Sequence, residues 1–429
     1  MTLVAILFFL FMLMGMPVPF AFGISGVAFF LQNPTLPLTM PAQLVLSQTQ
    51  NFLLLAIPLF IFAGNLLNQA GITERVMKLA SVLTGHMRAG TAQSNMVIAA
   101  SLGGITSSAI GDAAMLSRVL GPSMIKKGYS GGFSAAVIGC SALITTMIPP
   151  GIGLVLYGSI AEVSIGRLFA AGMIPGILMT IFLMGAVGMR ARQKGYLPER
   201  EKRAPVKEIG KTVIDSIWAF LFPVILIAGL RFGIFTPSEA GAFACVYAIA
   251  VGVIVYKQSS WKGLHQTLES TVVDIGMVML LIALSATFSY GIVWDQLPQK
   301  MAEFMLGISN TPWVVMLVII GFLLCAGTAV DSTVLILMLT SILTPVAEQV
   351  HVDLVHFGII MVLTLTLGLL TPPEGAVLYI VCTIFKCSLW DFVKEGWLLM
   401  LSIVLVVLMV IFWPDLALWL PNLTFGKAD

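Results

Sequence analysis

The chain has 429 residues, of which 59% are hydrophobic and 10% charged, with a formal net charge of +2, against roughly 25% charged residues in an ordinary soluble domain. No soluble fold of this length covers so large an apolar excess, and a charge this small and scattered excludes nucleic acid as a partner. The excess is laid out as repeated apolar runs of about 20 residues, the length that crosses a bilayer as helix, so the whole chain reads as membrane domain.

The first run covers 2–31. No charged residue precedes Glu74 and the first basic residue is Arg75, so the basic region of a cleaved signal peptide is missing and the run reads as a retained membrane helix. Further runs follow at 46–70, 92–124, 132–160, 168–190, 213–235, 238–257, 269–292, 312–349, 354–386 and 397–420. Several are too long for one simple crossing. The only long polar stretch, 190–211, holds Arg190, Arg192, Lys194, Arg200, Lys202, Arg203, Lys207 and Lys211, which the positive-inside rule places in the cytoplasm. It divides the chain into a first half, 1–190, a cytoplasmic basic linker, 191–212, and a second half, 213–429. Arg75, Lys78, Arg88, Lys126, Lys127, Lys257 and Lys262 then fall on the same side with single crossings between them, except that 92–124 must leave and return.

The halves are related. At a constant offset of 223 residues Gly104 matches Gly327, Pro122 matches Pro345, and Pro149-Pro150 matches Pro372-Pro373. Each half repeats one order of events, an apolar run interrupted by a small polar cluster and then a long helix interrupted by a proline pair. The first cluster is entered from the cytoplasm and the second from the opposite side, which predicts inverted repeats with re-entrant helical hairpins near 92–124 and 312–349. The predicted fold class is an all-α polytopic membrane protein with broken helices.

Backbone broken at membrane depth is tolerated only where protein or a water-filled cavity surrounds it. Ser107 and Ser108, and Thr328, Asp331, Ser332 and Thr333, read as the hairpin tips. The proline pairs remove amide donors and free carbonyl oxygens just upstream. Carbonyls, hydroxyls and a carboxylate are hard oxygen ligands suited to sodium. One expected site gathers Ser107, Ser108, Asp112, Thr145, Thr146 and Pro149, the other Thr328, Asp331, Ser332, Thr366, Thr371 and Pro372. Helix N-termini at the same breaks favour an anion, with Ser108, Gly151, Thr328, Pro373, Glu374 and Gly375 expected to line its path.

Each feature also has a plainer reading. A proline pair can be a packing kink, and Ser or Thr in apolar helices commonly bonds its own backbone. Asp112 can instead pair with Arg118, and Glu374 can be a helix N-terminal acid. Arg167, Arg231 and Glu239 stand at segment ends, where snorkelling explains them. Cys140, Cys245, Cys325, Cys382 and Cys387 have no CxxC spacing and read as small buried hydrophobes. Gly128, Ser130 and Gly132 fit the G-x-S-x-G pattern of serine hydrolases, but none of His86, His265, His351 and His356 sits mid-helix to act as its base, so the segment reads as a turn.

NFLLLAIPLFIFAGNLLNQAG (51–71), GGITSSAIGDAAML, RLFAAGMIPG (167–176), MIPPGIGLVLYG and LTPPEGAVLYIV (370–381) resemble the large membrane subunit of tripartite ATP-independent periplasmic (TRAP) transporters, over essentially the whole chain, with members that take up sialic acid the most similar. The resemblance implies an elevator-type carrier in the bacterial inner membrane that imports a carboxylate with two or more sodium ions. It also implies a separate four-span small membrane subunit and a periplasmic substrate-binding protein as partners, with lipid around the outer helices. A stand-alone ion-coupled anion carrier of related fold, without a soluble receptor, is the alternative.

Overall fold

The computed structural model describes residues 2–106, 108–308, 311–372 and 375–427. Among these the first half contains α1 (Thr2–Leu13), α2 (Val18–Gln32), α3 (Met40–Thr49), α4 (Ala56–Gln69), α5 (Ile72–Thr84), α6 (Gly90–Thr106), α7 (Ala109–Lys126), α8 (Gly131–Ala142), α9 (Ile144–Met147), α10 (Ile152–Ile160) and α11 (Ile165–Lys194). The second contains α12 (Val206–Arg231), α13 (Pro237–Ala250, widening to a π-turn at Val251–Val255), α14 (Trp261–Trp294), α15 (Leu297–Ile308), α16 (Pro312–Ala329), α17 (Ser332–Gln349), α18 (Leu354–Gly368), α19 (Ala376–Phe385), α20 (Leu389–Phe412) and α21 (Asp415–Phe425). By length and composition seven of the described helices can cross a membrane, or nine if the bent pairs α4–α5 (65°) and α8/α9–α10 (43°) each count as one span.

The first run is not one helix. Gly15 takes a left-handed conformation (φ 78°) and Pro17 follows it, so α1 ends and α2 turns back against it. The Phe8 and Phe22 rings pack at a tilt in that hairpin, centroids 4.6 Å apart, and Phe22 meets Phe288 of α14 at 5.2 Å.

The repeat extends well beyond its proline anchors. Shifting α7 by 223 residues gives the bounds of α17, and shifting the start of α8 gives that of α18. α6, α10 and α11 correspond in the same way to α16, α19 and α20 within one or two residues at their starts. The core sits where α8 and α18 run. Nearly every side chain of both is buried, as in helices that are apolar all round, and the partners cross over: α10 packs on α17 while α19 packs on α7.

The two hairpins enter from opposite ends. At the base of α6–α7 the amides of Glu199 and Arg200 donate to the Gly85 carbonyl at 3.0 and 2.9 Å, and the Lys127 ammonium meets Glu199 at 2.8 Å. Lys194, at the end of α11, bonds Glu395 at 2.6 Å. This end carries most of the basic residues, the end that the positive-inside rule expects in the cytoplasm. About 40 Å away along α11, Arg167 donates to the Gly426 carbonyl and the Asn422 side chain at 2.5 and 2.9 Å. There the Tyr157 hydroxyl donates to Leu354 at 2.7 Å, beside the base of α16–α17. Of the basic linker only 195–205 is loop, since α11 runs to Lys194 and α12 starts at Val206.

Arg167 is tied to the segment after α21 through Gly426 and Asn422, and Glu239 closes a capping box with Thr236. One expectation, five buried cysteines, is corrected here. Cys140, Cys245 and Cys382 are buried, but Cys325 is exposed, because α16 turns one face to α18 and leaves the face with Phe322 and Cys325 outside.

The loop cluster is pH-dependent. Burial alone would raise the Glu199 carboxyl, but hydrogen bonds from Lys127 and Thr91 and the Lys127 charge outweigh it and hold it below the usual 4.5. A depressed carboxyl stabilises fully above its unfolded value and loses that contribution as pH falls through the folded value. Between pH 7 and pH 3, Glu199→Gln will therefore lose less thermal stability than the parent chain, by under about 1 kcal/mol for a partly exposed pair.

Candidate functional site: the cavity between two hairpin tips

At each helix break the chain doubles back on its own carbonyls. A side chain at Gly151 would lie 2.5 Å from the Thr146 carbonyl, and one at Gly375 2.4 Å from that of Leu369. Thr146 and Leu369 are equivalent in the 223-residue register. Glycine is required at both because any Cβ would strike backbone.

The tips are built from caps. The Ser108 hydroxyl accepts the Gly111 amide at 3.2 Å and starts α7, and the Asp331 carboxylate accepts the Thr333 amide at 2.8 Å and starts α17. Ser108 and Asp331 are themselves 223 residues apart. Both tips meet at one cavity of about 530 Å³. Its walls come from α4, α7, α10, α14, α17 and α18, with Thr146 at the end of α9.

The cavity collects Ser108, Asp112, Thr146, Asp331, Ser332 and Thr366 from the expected sets. Three helices begin at it, α7, α10 and α17, and their N-terminal amides bring partial positive charge to it. The threonine hydroxyls donate to their own helices, Thr146 to Leu143 at 2.8 Å and Thr366 to Val362 and Leu363 at 2.9 and 3.0 Å. A hydroxyl that has given its proton away still offers oxygen lone pairs to a cation. The walls can thus hold an anion and a hard cation side by side.

Other expected residues lie elsewhere. Thr145 is fully buried behind the wall and donates to Ala142 at 2.8 Å; a Cβ on Gly103 of α6 would be 3.1 Å from its Cα. The corresponding approach in the second half is Gly327 on Leu365 and Gly368, at 3.2 and 3.3 Å. Thr328 is half-buried one turn before its tip and donates to Cys325. Thr371 donates to Leu367 at 3.0 Å. Among the described residues, Pro149, Gly151, Thr328, Thr371, Pro372 and Gly375 do not line the cavity. Ser107, Pro373 and Glu374 lie outside the described residues. Asp112 is buried whereas Arg118 is exposed, about 240° further round α7, so the alternative pair is not made. Ser130 caps α8, accepting the Phe133 amide at 3.3 Å, in the turn expected of it.

Three polar cavity residues escaped the sequence reading, Asn65 and Asn68 of α4 and Asp274 of α14. The Asn65 amide donates to Thr271 at 2.9 Å and reaches the Asp274 carboxylate at 3.4 Å. Asp274 could have been found: a carboxylate in an apolar run is costly unless it is paired or functional, the argument applied to Asp112 and Asp331.

Comparison with known proteins identifies this architecture. Residues 5–416 match the family described as "Tripartite ATP-independent periplasmic transporter, DctM component". The chain is 35% identical over 417 residues to the sialic acid TRAP transporter large permease protein SiaM of Vibrio cholerae, covering 97% of each chain. It is 29% identical to the C4-dicarboxylate TRAP transporter large permease protein DctM of Rhodobacter capsulatus, over 96% of each. In fold it is similar to the Alcanivorax borkumensis YdaH transporter, with a TM-score of 0.56 at 13% identity over 86% of this chain and 88% of that one. The chain belongs to the DctM family of TRAP transporters, as a multi-pass membrane permease for organic acids and not an enzyme.

Proposed function

We propose that the chain imports a carboxylate, with sialic acid the first candidate, across the bacterial inner membrane by sodium-coupled elevator transport. A periplasmic receptor delivers the acid, and a separate four-span subunit enlarges the static part of the membrane assembly. The observation that carries this reading is the convergence of both tips and three helix N-termini on one cavity. The N-termini of α7, α10 and α17 take the carboxylate. Sodium binds where each hairpin arm closes on a broken helix, Gly103 on Thr145 and Gly327 on Leu365 and Gly368, with backbone carbonyls, nearby threonine hydroxyls and the tip residues Ser108 and Asp331 as oxygen ligands. Ion and anion bind together because each offsets the charge of the other in a low-dielectric space.

The hairpin-bearing helices then move against the wall of α4 and α14, since a fixed site exposed to both sides at once would leak. The test is uptake of labelled sialic acid and C4-dicarboxylates into proteoliposomes holding this chain and the small subunit. Uptake is expected only with an inward sodium gradient and added receptor. Uptake with sodium but no receptor would establish the stand-alone carrier instead, and uptake without a gradient would mean a passive pore.

A further inference from the structure

A second cavity, of about 370 Å³, lies toward the periplasmic end of the same helices. Its walls include Asn51 and Leu54 before α4, Ser285 and Ser289 of α14, and Ser159 and Ser341 of α10 and α17. The 223-residue register relates it to the central cavity. Asp274 corresponds to Asn51 and Met277 to Leu54; the first of each pair lines the central cavity and the second lines this one. Asn65 and Asn68 on α4 correspond to Phe288 and Gly291 on α14, and the residues between these two, Ser289 and Tyr290, line this cavity. The wall that faces the hairpin tips in this structure therefore has a two-fold image on the periplasmic side, about 17 to 23 Å further along α14 at Ser285 and Ser289.

We propose that this periplasmic cavity is the receiving site for the substrate anion, and that Asn51 and Asp274 are equivalent positions on opposite sides of its path. The proposal rests on the transport reading above. Inverted repeats exchange conformations when a carrier changes side, so tips that now face Asp274 come to face Asn51. The two positions differ in charge. On the periplasmic side the anion meets a neutral amide and serine hydroxyls, which can donate to a carboxylate. On the cytoplasmic side it meets a carboxylate, which weakens its hold by about fivefold at contact distance in water. The asymmetry alters the affinity seen from each side and leaves the final accumulation, set by the gradients, unchanged.

Two measurements on the full chain with its small subunit in membranes test this without a known substrate or any sodium dependence. A bifunctional maleimide should cross-link Ser332→Cys to Asp274→Cys and also to Asn51→Cys, with Ser289→Cys as the second partner if the Asn51 variant does not express. Single-cysteine variants set the baseline for the five native cysteines. No cross-link to either periplasmic position overturns the assignment, even if uptake proves sodium-driven. The second measurement compares a sulfonate-bearing and a trimethylammonium-bearing thiosulfonate reacting with Ser332→Cys from the cytoplasmic side. Asp274→Asn should lower the cation-to-anion rate ratio about 25-fold, about fivefold for each sign of charge, and Asn51→Asp should raise it from the periplasmic side. A ratio unchanged by Asp274→Asn removes the electrostatic role.

Discussion

Asp331→Asn will leave the protein folded and strip it of most of its sodium-driven transport. The Asp331 carboxylate has one visible duty, capping α17 through the Thr333 amide at 2.8 Å, and asparagine caps a helix about as well as aspartate. Its second duty is proposed from its place in the cavity beside Ser332 and Thr333, where asparagine keeps the oxygen and loses the charge. A charged partner contributes about 1.5–3 kcal/mol, so the apparent sodium affinity should fall tenfold or more. Melting in detergent should stay close to that of the parent. Asp331→Ala removes both duties and should cost about 1 kcal/mol of stability besides. Unchanged sodium dependence in the asparagine variant would reduce Asp331 to a cap.

Gly368→Ala will cost the protein several degrees of melting temperature and most of its activity. A Cβ at Gly368 would stand 2.6 Å from the Gly327 carbonyl carbon and 2.7 Å from its Cα and oxygen, so only backbone movement could relieve it. Overpacking of that kind costs about 1–3 kcal/mol, and the movement would part α16 from α18 where the second ion is proposed to bind. Gly321→Ala in the same hairpin arm is the control. Nothing lies within 4 Å of a Cβ there, and alanine is the better helix former by up to about 1 kcal/mol. If the two variants melt alike in a thermal-shift assay, the close approach of the hairpin to α18 is not structural.

The hairpins and breaks were legible because they are imposed locally. Proline lacks an amide donor and glycine alone tolerates a Cβ-free contact with backbone, whatever the tertiary setting, so Pro149-Pro150, Pro372-Pro373 and the Gly104/Gly327 register marked them in the sequence. Gly15 and Pro17 were equally visible, yet a continuous apolar run concealed the split between α1 and α2. α5 and α15 were missed for another reason: each is short and amphipathic, α5 with Glu74, Arg75 and Lys78 and α15 with Gln299, Lys300 and Glu303, so no spanning run marks them.

The membership of the cavity was less accessible, because it depends on how each helix is rotated by its packing. Thr145 and Thr146 are neighbours of one chemistry, and about 100° of helix rotation sends the first behind the wall and the second into it. Asn65, Asn68 and Asp274 entered from α4 and α14, regular helices with no break to attract notice.

The account stands most directly on where the substrate sits. A cryo-electron microscopy map of this chain with its small subunit, in sodium and a transported organic acid, should show the acid's density between the N-termini of α7, α10 and α17, against Ser108, Ile152 and Ser332. Density only in a cavity lacking both hairpin tips, such as the crevice at Glu162 and Phe235, with nothing at the tips, would contradict it.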